Sequence, residues 1–509
     1  MTRSCFFLLA GSLIMATSCS VNRKATGGDH RIDLTFVQVN DVYEIAPLSN
    51  GREGGLARIA TLKKQYLQKN PNTFLVIAGD FVSPSVYNSL QYEGKAIRGK
   101  QMIESLNAAG MDLAVFGNHE FDIKEGELQD RINESRFEYM ATNVFHQLKG
   151  KTEPFYQNGK PLPLTYVLPI RDADGTTAKI GFIGLTLPFN KADYVSYTDA
   201  LATAKNLYNK LKDSVDAVVA ITHQSIEDDK KLADEVPGLA VILGGHEHDM
   251  RFVQENHIYI TKAHANAKSA YVVNLHLNLR RKKIKVKPQL VYLNDAIPLD
   301  SATNVVVQKW VGIAEKNYSS LGFDAHKVVL TDGAPLDGRE TEVRSHATTL
   351  TQLIVRAMSA AAPEADIVLL NGGSIRVDDV LQMPVTQYDI IRSLPFGGSI
   401  RQADLKGSLL IRVLNTGQTN VGTGGFLHYS TQLVKEGTTW KWNGAPVDPA
   451  KTYRVAMPDF LLTGKEANMD FLNPDNPEVV KVYEPVKSVS DPLSDIRQAV
   501  VQYLEHGKR

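Results

Sequence analysis

Gly117-Asn118-His119-Glu120-Phe121-Asp122 is the stretch on which the reading of this chain turns. It follows the apolar run Leu113-Ala114-Val115-Phe116, which predicts a buried parallel strand that breaks off abruptly in polar chemistry. In open α/β sheets ligands bind beyond the carboxyl ends of strands, so a polar cluster there marks a candidate site. Asn118 offers a neutral oxygen to a metal, His119 a proton donor, and Asp122 a carboxylate able to hold the imidazole. Taken alone, the hexapeptide also reads as a capped turn, with Asn118 or Asp122 starting the helix that follows.

Four other strand ends separate these readings. The first strand runs out in Val39-Asn40-Asp41-Val42-Tyr43 and the second in Ala78-Gly79-Asp80. A later one ends Ile221-Thr222-His223, and the last ends Gly244-Gly245-His246-Glu247-His248-Asp249. Asp41, Asp80, Asn118, His223, His246 and His248 are therefore expected together on one edge of one sheet. Each alone has an ordinary explanation as a turn or core residue. As an ordered set of oxygens and nitrogens with a carboxylate able to bridge, they suit two adjacent divalent cations such as Zn or Mn.

Around these ends, apolar runs alternate with helical patterns from Asp33 to about Leu293. Strands are expected at 34–39, 74–78, 113–116, 180–185, 217–221 and 239–243, and helices at 56–67, 101–109 and 198–211. That alternation predicts a layered α/β domain. Asp172-Ala173-Asp174-Gly175 is a turn signal, so part of the sheet is expected to be antiparallel. Tyr271 to Leu293 alternates apolar and basic residues, as edge strands closing the domain would. The expected organisation is a leader over 1–19, a tether over 20–32, a first domain over 33–299, a linking helix over 300–321 and a second domain over 322–509.

With 509 residues the chain exceeds one ordinary core. Lys+Arg and Asp+Glu balance at 56 each, so there is no electrostatic footprint for a nucleic-acid polymer. Met1-Thr2-Arg3, the apolar run Phe6 to Ala16 and Ala16-Thr17-Ser18-Cys19 resemble a bacterial lipoprotein signal, with Cys19 the acylated residue. Plain secretory cleavage is the other reading of the same stretch. Export to the periplasm or cell surface is expected, with membrane contact only through that anchor. Cys5 and Cys19 are the only cysteines, so the exported chain has no disulfide and no thiolate metal site.

The order of these motifs resembles the calcineurin-like metallophosphoesterases. In the second half, Asn371-Gly372-Gly373-Ser374-Ile375-Arg376 and Leu394-Pro395-Phe396-Gly397-Gly398 resemble the C-terminal domain of the 5′-nucleotidase / UDP-sugar hydrolase family. The resemblance implies a metallophosphoesterase sandwich joined by a helix to a smaller α/β substrate-binding domain. It implies that Asp41, Asp80, His248 and position 43 hold a first metal, and that Asp80, Asn118, His223 and His246 hold a second. His119, oriented by Asp122, would stabilise the transition state or protonate the leaving alkoxide, while a metal-bound water attacks phosphorus. Arg344, Asn371 and Arg376 match substrate-contacting positions, and Phe396 and Phe460 would sandwich a base.

The chain also departs from the family pattern. Tyr43 stands where the family has the His of Asp-x-His, and His248 where its nucleotidases tend to have an amide. The Gly-rich loop after Phe460 is replaced by Thr463 to Asp470, with Asp470 the candidate for the ribose-binding acid. The implied activity is hydrolysis of nucleoside 5′-monophosphates, with nucleotides as small-molecule partners. The same site would also suit a 2′,3′-cyclic nucleotide phosphodiesterase, a nucleotide-sugar diphosphatase or another phosphoesterase. A nucleotide-binding protein that has lost catalysis through position 43 is the reading from another class.

Overall fold

The alternating strands and helices of the N-terminal part build two sheets rather than one. A computed structural model describes residues 28–189, 192–486 and 488–506. The leader, Cys19 and most of the tether lie outside them. The strands are β1 (Arg31–Val39), β2 (Thr73–Ala78), β3 (Leu113–Val115), β4 (Glu138–Met140), β5 (Thr165–Arg171), β6 (Thr177–Thr186), β7 (Ala217–His223), β8 (Val241–Gly245), β9 (Arg251–Glu255), β10 (Ile258–Lys262), β11 (Ser269–Asn278) and β12 (Lys283–Tyr292). The first sheet has the order β12-β11-β1-β2-β3-β4 and the second β5-β6-β7-β8-β10-β9.

The β1–β4 strands are parallel neighbours, as are β6, β7, β8 and β10. The turn at Asp172–Gly175 joins β5 and β6 as an antiparallel pair. The basic, alternating stretch forms β11 and β12, but only β12 is an edge. Strand β11 pairs with β1 on one side and β12 on the other, and accordingly buries Val272, Val273, Leu275 and Leu277.

The two sheets bury a shared core between them. Leu34, Phe36, Val76 and Val115 from the first meet Ile180, Phe182, Val219 and Leu243 from the second, with the Phe36 and Phe182 rings edge-on at 5.7 Å. Complete burial of such side chains is worth about 1.5–3 kcal/mol each. Helices Leu56–Leu67 and Lys100–Ala109 cover the outer face of the first sheet, and Ala200–Leu211 and Ile226–Glu235 that of the second. The result is a four-layer sandwich.

Helix Ser301–Ser320, capped by Asp300, joins this sandwich to the second domain. It buries Val307, Trp310, Ala314 and Tyr318 along one helical face. Trp310 Nε1 donates to Glu104 at 2.9 Å, tying the linker to the first domain. The second domain is built on β13 (Ile367–Asn371), β14 (Ile400–Lys406), β15 (Leu427–Tyr429), β16 (Thr452–Pro458) and β17 (Val479–Val482), in the order β15-β13-β16-β14-β17. No helix among the described residues is long and apolar enough to cross a membrane.

Candidate active site

The site lies where the carboxyl ends of both sheets meet. Asp41, Asp80 and Asn118 follow β1, β2 and β3 of the first sheet, whereas His223, His246 and His248 end or follow β7 and β8 of the second. The expectation of one edge of one sheet is thus corrected. Face-to-face packing of the two sheets brings their two sets of strand ends together.

The backbone here is forced. Asp41, Asp80, His246 and His248 all take positive φ, at 52°, 53°, 96° and 60°. For non-glycine residues such conformations cost about 1–3 kcal/mol each and concentrate at functional sites. Gly117 is required by close approach, because a Cβ there would stand 2.0 Å from Asp80 Oδ1. A Cβ at Gly245 would lie 2.3 Å from the Ala78 carbonyl oxygen, separating the two sheets where they converge.

Asp41, Asp80 and His248 offer ligand atoms within 4.8 Å of one another. His223 Nε2 lies 3.1 Å from Asp80 and 3.9 Å from Asp41, while its Nδ1 donates to the Ala78 carbonyl at 2.8 Å. That second bond aims Nε2 into the cluster. The His246 ring stands edge-on to His223 at 5.4 Å, and its backbone N–H donates to Asp41 at 2.8 Å. Asn40 donates a side-chain N–H to Asp41 at 2.8 Å.

These residues fit a cation. Asn118 Oδ1 is fully buried, yet it has no hydrogen-bond partner among the described residues. Buried polar atoms left this way lack a partner of the kind an ion supplies. The electrostatics agree. Burial opposes charge on His223, but Asp80 and Asp41 overcome it and push its pKa up to about 9. Burial opposes charge on Asp41 as well, and the imidazoles of His223 and His248 hold it well below the usual carboxylate range.

Tyr43 is buried among these groups, its Oη 3.4 Å from both Asp41 and Asp80 and 2.9 Å from His248 Nε2. Burial and the two carboxylates raise its pKa well above 10, so it remains a neutral phenol. His119 and Asp122 occupy a short 3₁₀ turn, His119–Asp122, instead of a capped α-helix start. Asp122 Oδ2 accepts a hydrogen bond from His119 Nδ1–H at 2.6 Å, and the His119 backbone N–H donates to Asp80 at 2.8 Å. Burial lowers the His119 pKa, but Asp80 and Asp122 outweigh it and the net shift is upward.

A cleft of about 1100 Å³ opens from His119 and Asp122 into the second domain. Asn371, Arg376, Phe396 and Phe460 line it. Phe396 and Phe460 are 67% and 43% exposed, so they are not core residues. Arg344 and Asp470 are not among the lining residues. Arg344 is paired with Glu340, and Asp470 is exposed on the replaced loop. Glu466 of that loop faces the cleft instead, accepting from Asn371 Nδ2 at 2.7 Å. A separate cavity of about 430 Å³, beside helix Thr349–Ala361 and β15, contains none of the expected residues.

Several contributors were not anticipated. Glu120, within the opening hexapeptide, is buried and accepts backbone N–H groups from Asp80, Phe81, Val82 and Gly117 at 2.6 to 3.0 Å. It moulds the turn that carries Asp80. Lys262, fully buried on β10, binds Glu247 at 2.6 Å and Asp229 at 2.8 Å, which anchors the His246-x-His248 turn. Asp378 of the second domain contacts His248 Nδ1. Only Glu120 and Glu247 had a local signal, being the acids inside the two histidine motifs.

Comparison with known proteins identifies the families of both domains. Residues 34–250 match the calcineurin-like phosphoesterase family model, and residues 328–473 match the 5′-nucleotidase C-terminal domain. The chain is 26% identical to 5′-nucleotidase from Homo sapiens over 85% of this chain and 83% of that protein. It is 25% identical to protein UshA from Yersinia enterocolitica, covering 90% of this chain and 89% of the relative. The crystal structure of a 5′-nucleotidase precursor from Thermus thermophilus superposes with a TM-score of 0.68 at 22% identity, covering 93% of this chain and 96% of that one. With both family domains in order and relatives that match along most of their length, the chain belongs to the 5′-nucleotidase / UDP-sugar hydrolase family of calcineurin-like metallophosphoesterases and is a hydrolase of phosphoric esters.

Proposed function

We propose that this protein hydrolyses nucleoside 5′-monophosphates, releasing phosphate, in a cleft formed by domains spanning 33–299 and 322–509. The observation that carries this reading is one cavity of about 1100 Å³ holding the His119–Asp122 pair at one end and the exposed Phe396 and Phe460 rings at the other. A phosphate at the first and a base at the second are the two ends of a nucleotide.

Asp41, Asp80 and His248 would hold one divalent cation, and Asp80, Asn118, His223 and His246 a second, with Asp80 shared. Bound there, such cations would activate water and neutralise charge on the phosphoryl oxygens. His119, with Nδ1 engaged by Asp122, keeps Nε2 for the reaction and gives its proton to the departing ester oxygen. Arg376 supplies positive charge at the cleft wall, and Asn371 is held by Glu466 to present its amide. Phe396 and Phe460 stack on the base, a contact that every base can make.

The test is phosphate release from a panel of nucleoside monophosphates, 2′,3′-cyclic nucleotides, nucleotide sugars and a small aryl phosphate, with Zn²⁺ and Mn²⁺. Preference for the monophosphates is expected. Turnover of the cyclic or sugar substrates alone would replace this reading with a diesterase, and no turnover of any would leave a binding protein. Export and acylation at Cys19 complete the proposal, supported by the charged start, apolar run and cysteine at the N-terminus. Cys19→Ser should then move the chain from the membrane fraction to a soluble one. Identical fractionation of both forms would exclude the anchor.

A further inference from the structure

We propose that Asp378 is a positioning residue for the metal site at Asp41 and Asp80, so that a carboxylate from the second domain completes a site on the first. The inference rests on the reading above that His248 Nε2 faces a cation.

His248 stands between two carboxylates on opposite sides of its ring. Nε2 lies 3.4 Å from Asp41 Oδ1, and Nδ1 is bonded to Asp378 Oδ2. The other Asp378 oxygen, Oδ1, accepts the Glu340 backbone N–H at 2.5 Å, which fixes the carboxylate. Both partners are largely shielded from solvent, the His248 side chain being 17% exposed and that of Asp378 20%. With its proton on Nδ1 committed to Asp378, the ring can offer only Nε2, and that atom points at the cluster. A carboxylate behind a ligating imidazole fixes both tautomer and orientation and strengthens the donor.

The arrangement matters more here than in a site with several imidazoles. Position 43 carries a phenol, so His248 is the imidazole of the Asp41–Asp80–His248 set. Asp378 also follows Arg376 by two residues, on the segment that leaves β13 and lines the nucleotide cleft. The loop that meets substrate is thus the loop that orients the metal ligand. Its next residue, Asp379, is pinned across the same boundary by Lys268 at 2.6 Å and within its own domain by Arg392 at 3.3 Å.

The experiment uses the full chain, stripped of metal and titrated with Mn²⁺, comparing wild type, Asp378→Asn and Lys268→Met. Lys268→Met breaks a neighbouring cross-domain ion pair without touching the imidazole. Two Mn²⁺ per chain are expected for wild type and Lys268→Met. In Asp378→Asn one of the two should weaken by about 10–100-fold, the usual cost of losing such a partner. Equal Mn²⁺ affinities in wild type and Asp378→Asn overturn the proposal. So does an equal loss in Lys268→Met, which would mark a general effect of domain docking. A wild type that binds fewer than two Mn²⁺ overturns the underlying metal reading as well, and is distinguishable by the wild-type titration alone. Should Asp378→Asn not fold, ¹⁵N spectra of the Zn²⁺-loaded wild type still decide. They should show His248 protonated at Nδ1, and an unprotonated Nδ1 would refute the assignment.

Discussion

Tyr43 Oη lies 2.9 Å from His248 Nε2, the nitrogen that faces Asp41 and Asp80. The family resemblance implies an imidazole at position 43 and tends to an amide at 248, so on the proposed metal reading the two residues would exchange roles within one contact. A buried phenol held above pKa 10 is a poor ligand beside a neutral imidazole.

His248→Gln should therefore remove the nitrogen of the first metal and lower both bound metal and kcat by more than tenfold. Adding Tyr43→His should restore much of each. Metal per chain and kcat for wild type, both single variants and the double variant measure this. Full metal content in His248→Gln alone would show that the exchange has no consequence.

His119→Asn is expected to reduce kcat by about 10²–10⁴-fold, the range for losing a general acid. Asp122→Asn should cost less and should shift the pH profile. Burial alone lowers the His119 pKa, and Asp80 and Asp122 reverse the sign. Removing Asp122 therefore lowers that pKa, and the alkaline limb, where the protonated imidazole is lost, should move to lower pH. An unmoved or rising limb would place the essential proton elsewhere.

Phe396→Ala and Phe460→Ala should each raise KM for a nucleotide about tenfold, since stacking a base is worth about 1–3 kcal/mol. KM for a small aryl phosphate, which does not span the cleft, should stay near wild type. Equal increases for both substrates would assign these rings to the architecture of the cleft.

Glu44 makes another contact between the domains, accepting a hydrogen bond from the Tyr388 hydroxyl at 2.5 Å. Burial raises its pKa from 4.5 to about 7, with Tyr388 and Arg392 only partly offsetting it. The folded chain thus holds this proton more tightly than the unfolded one, and the stability it contributes falls as pH rises from about 4.5 to 7. Glu44→Gln should flatten the dependence of urea midpoint on pH across that window. A slope unchanged from wild type would trace it to other groups.

Much of this protein is legible without coordinates, because the relevant signals are local. Helix Leu56–Leu67 is bounded where its spacing of apolar residues places it, and the strands at Phe74, Leu113 and Ala217 follow from apolar runs that break at polar residues. Asp41, Asp80, Asn118, His223, His246 and His248 could be picked out because a strand end is a short-range event. Periodicity carries no information about which strand pairs with which at long range. That Asp80 and His223 come from different sheets, yet approach to 3.1 Å, follows from the packing of Phe36 against Phe182 and their neighbours. The left-handed backbone at Asp41, Asp80, His246 and His248 leaves no mark on residues that elsewhere avoid it. Glu466 rather than Asp470 faces the cleft because the course of the replaced loop depends on what it packs against, including the Asn371 amide. Asp378 meets His248 across 130 residues and a domain boundary. Only the docking of the two domains brings that carboxylate to the imidazole, and no property of either segment alone requires it.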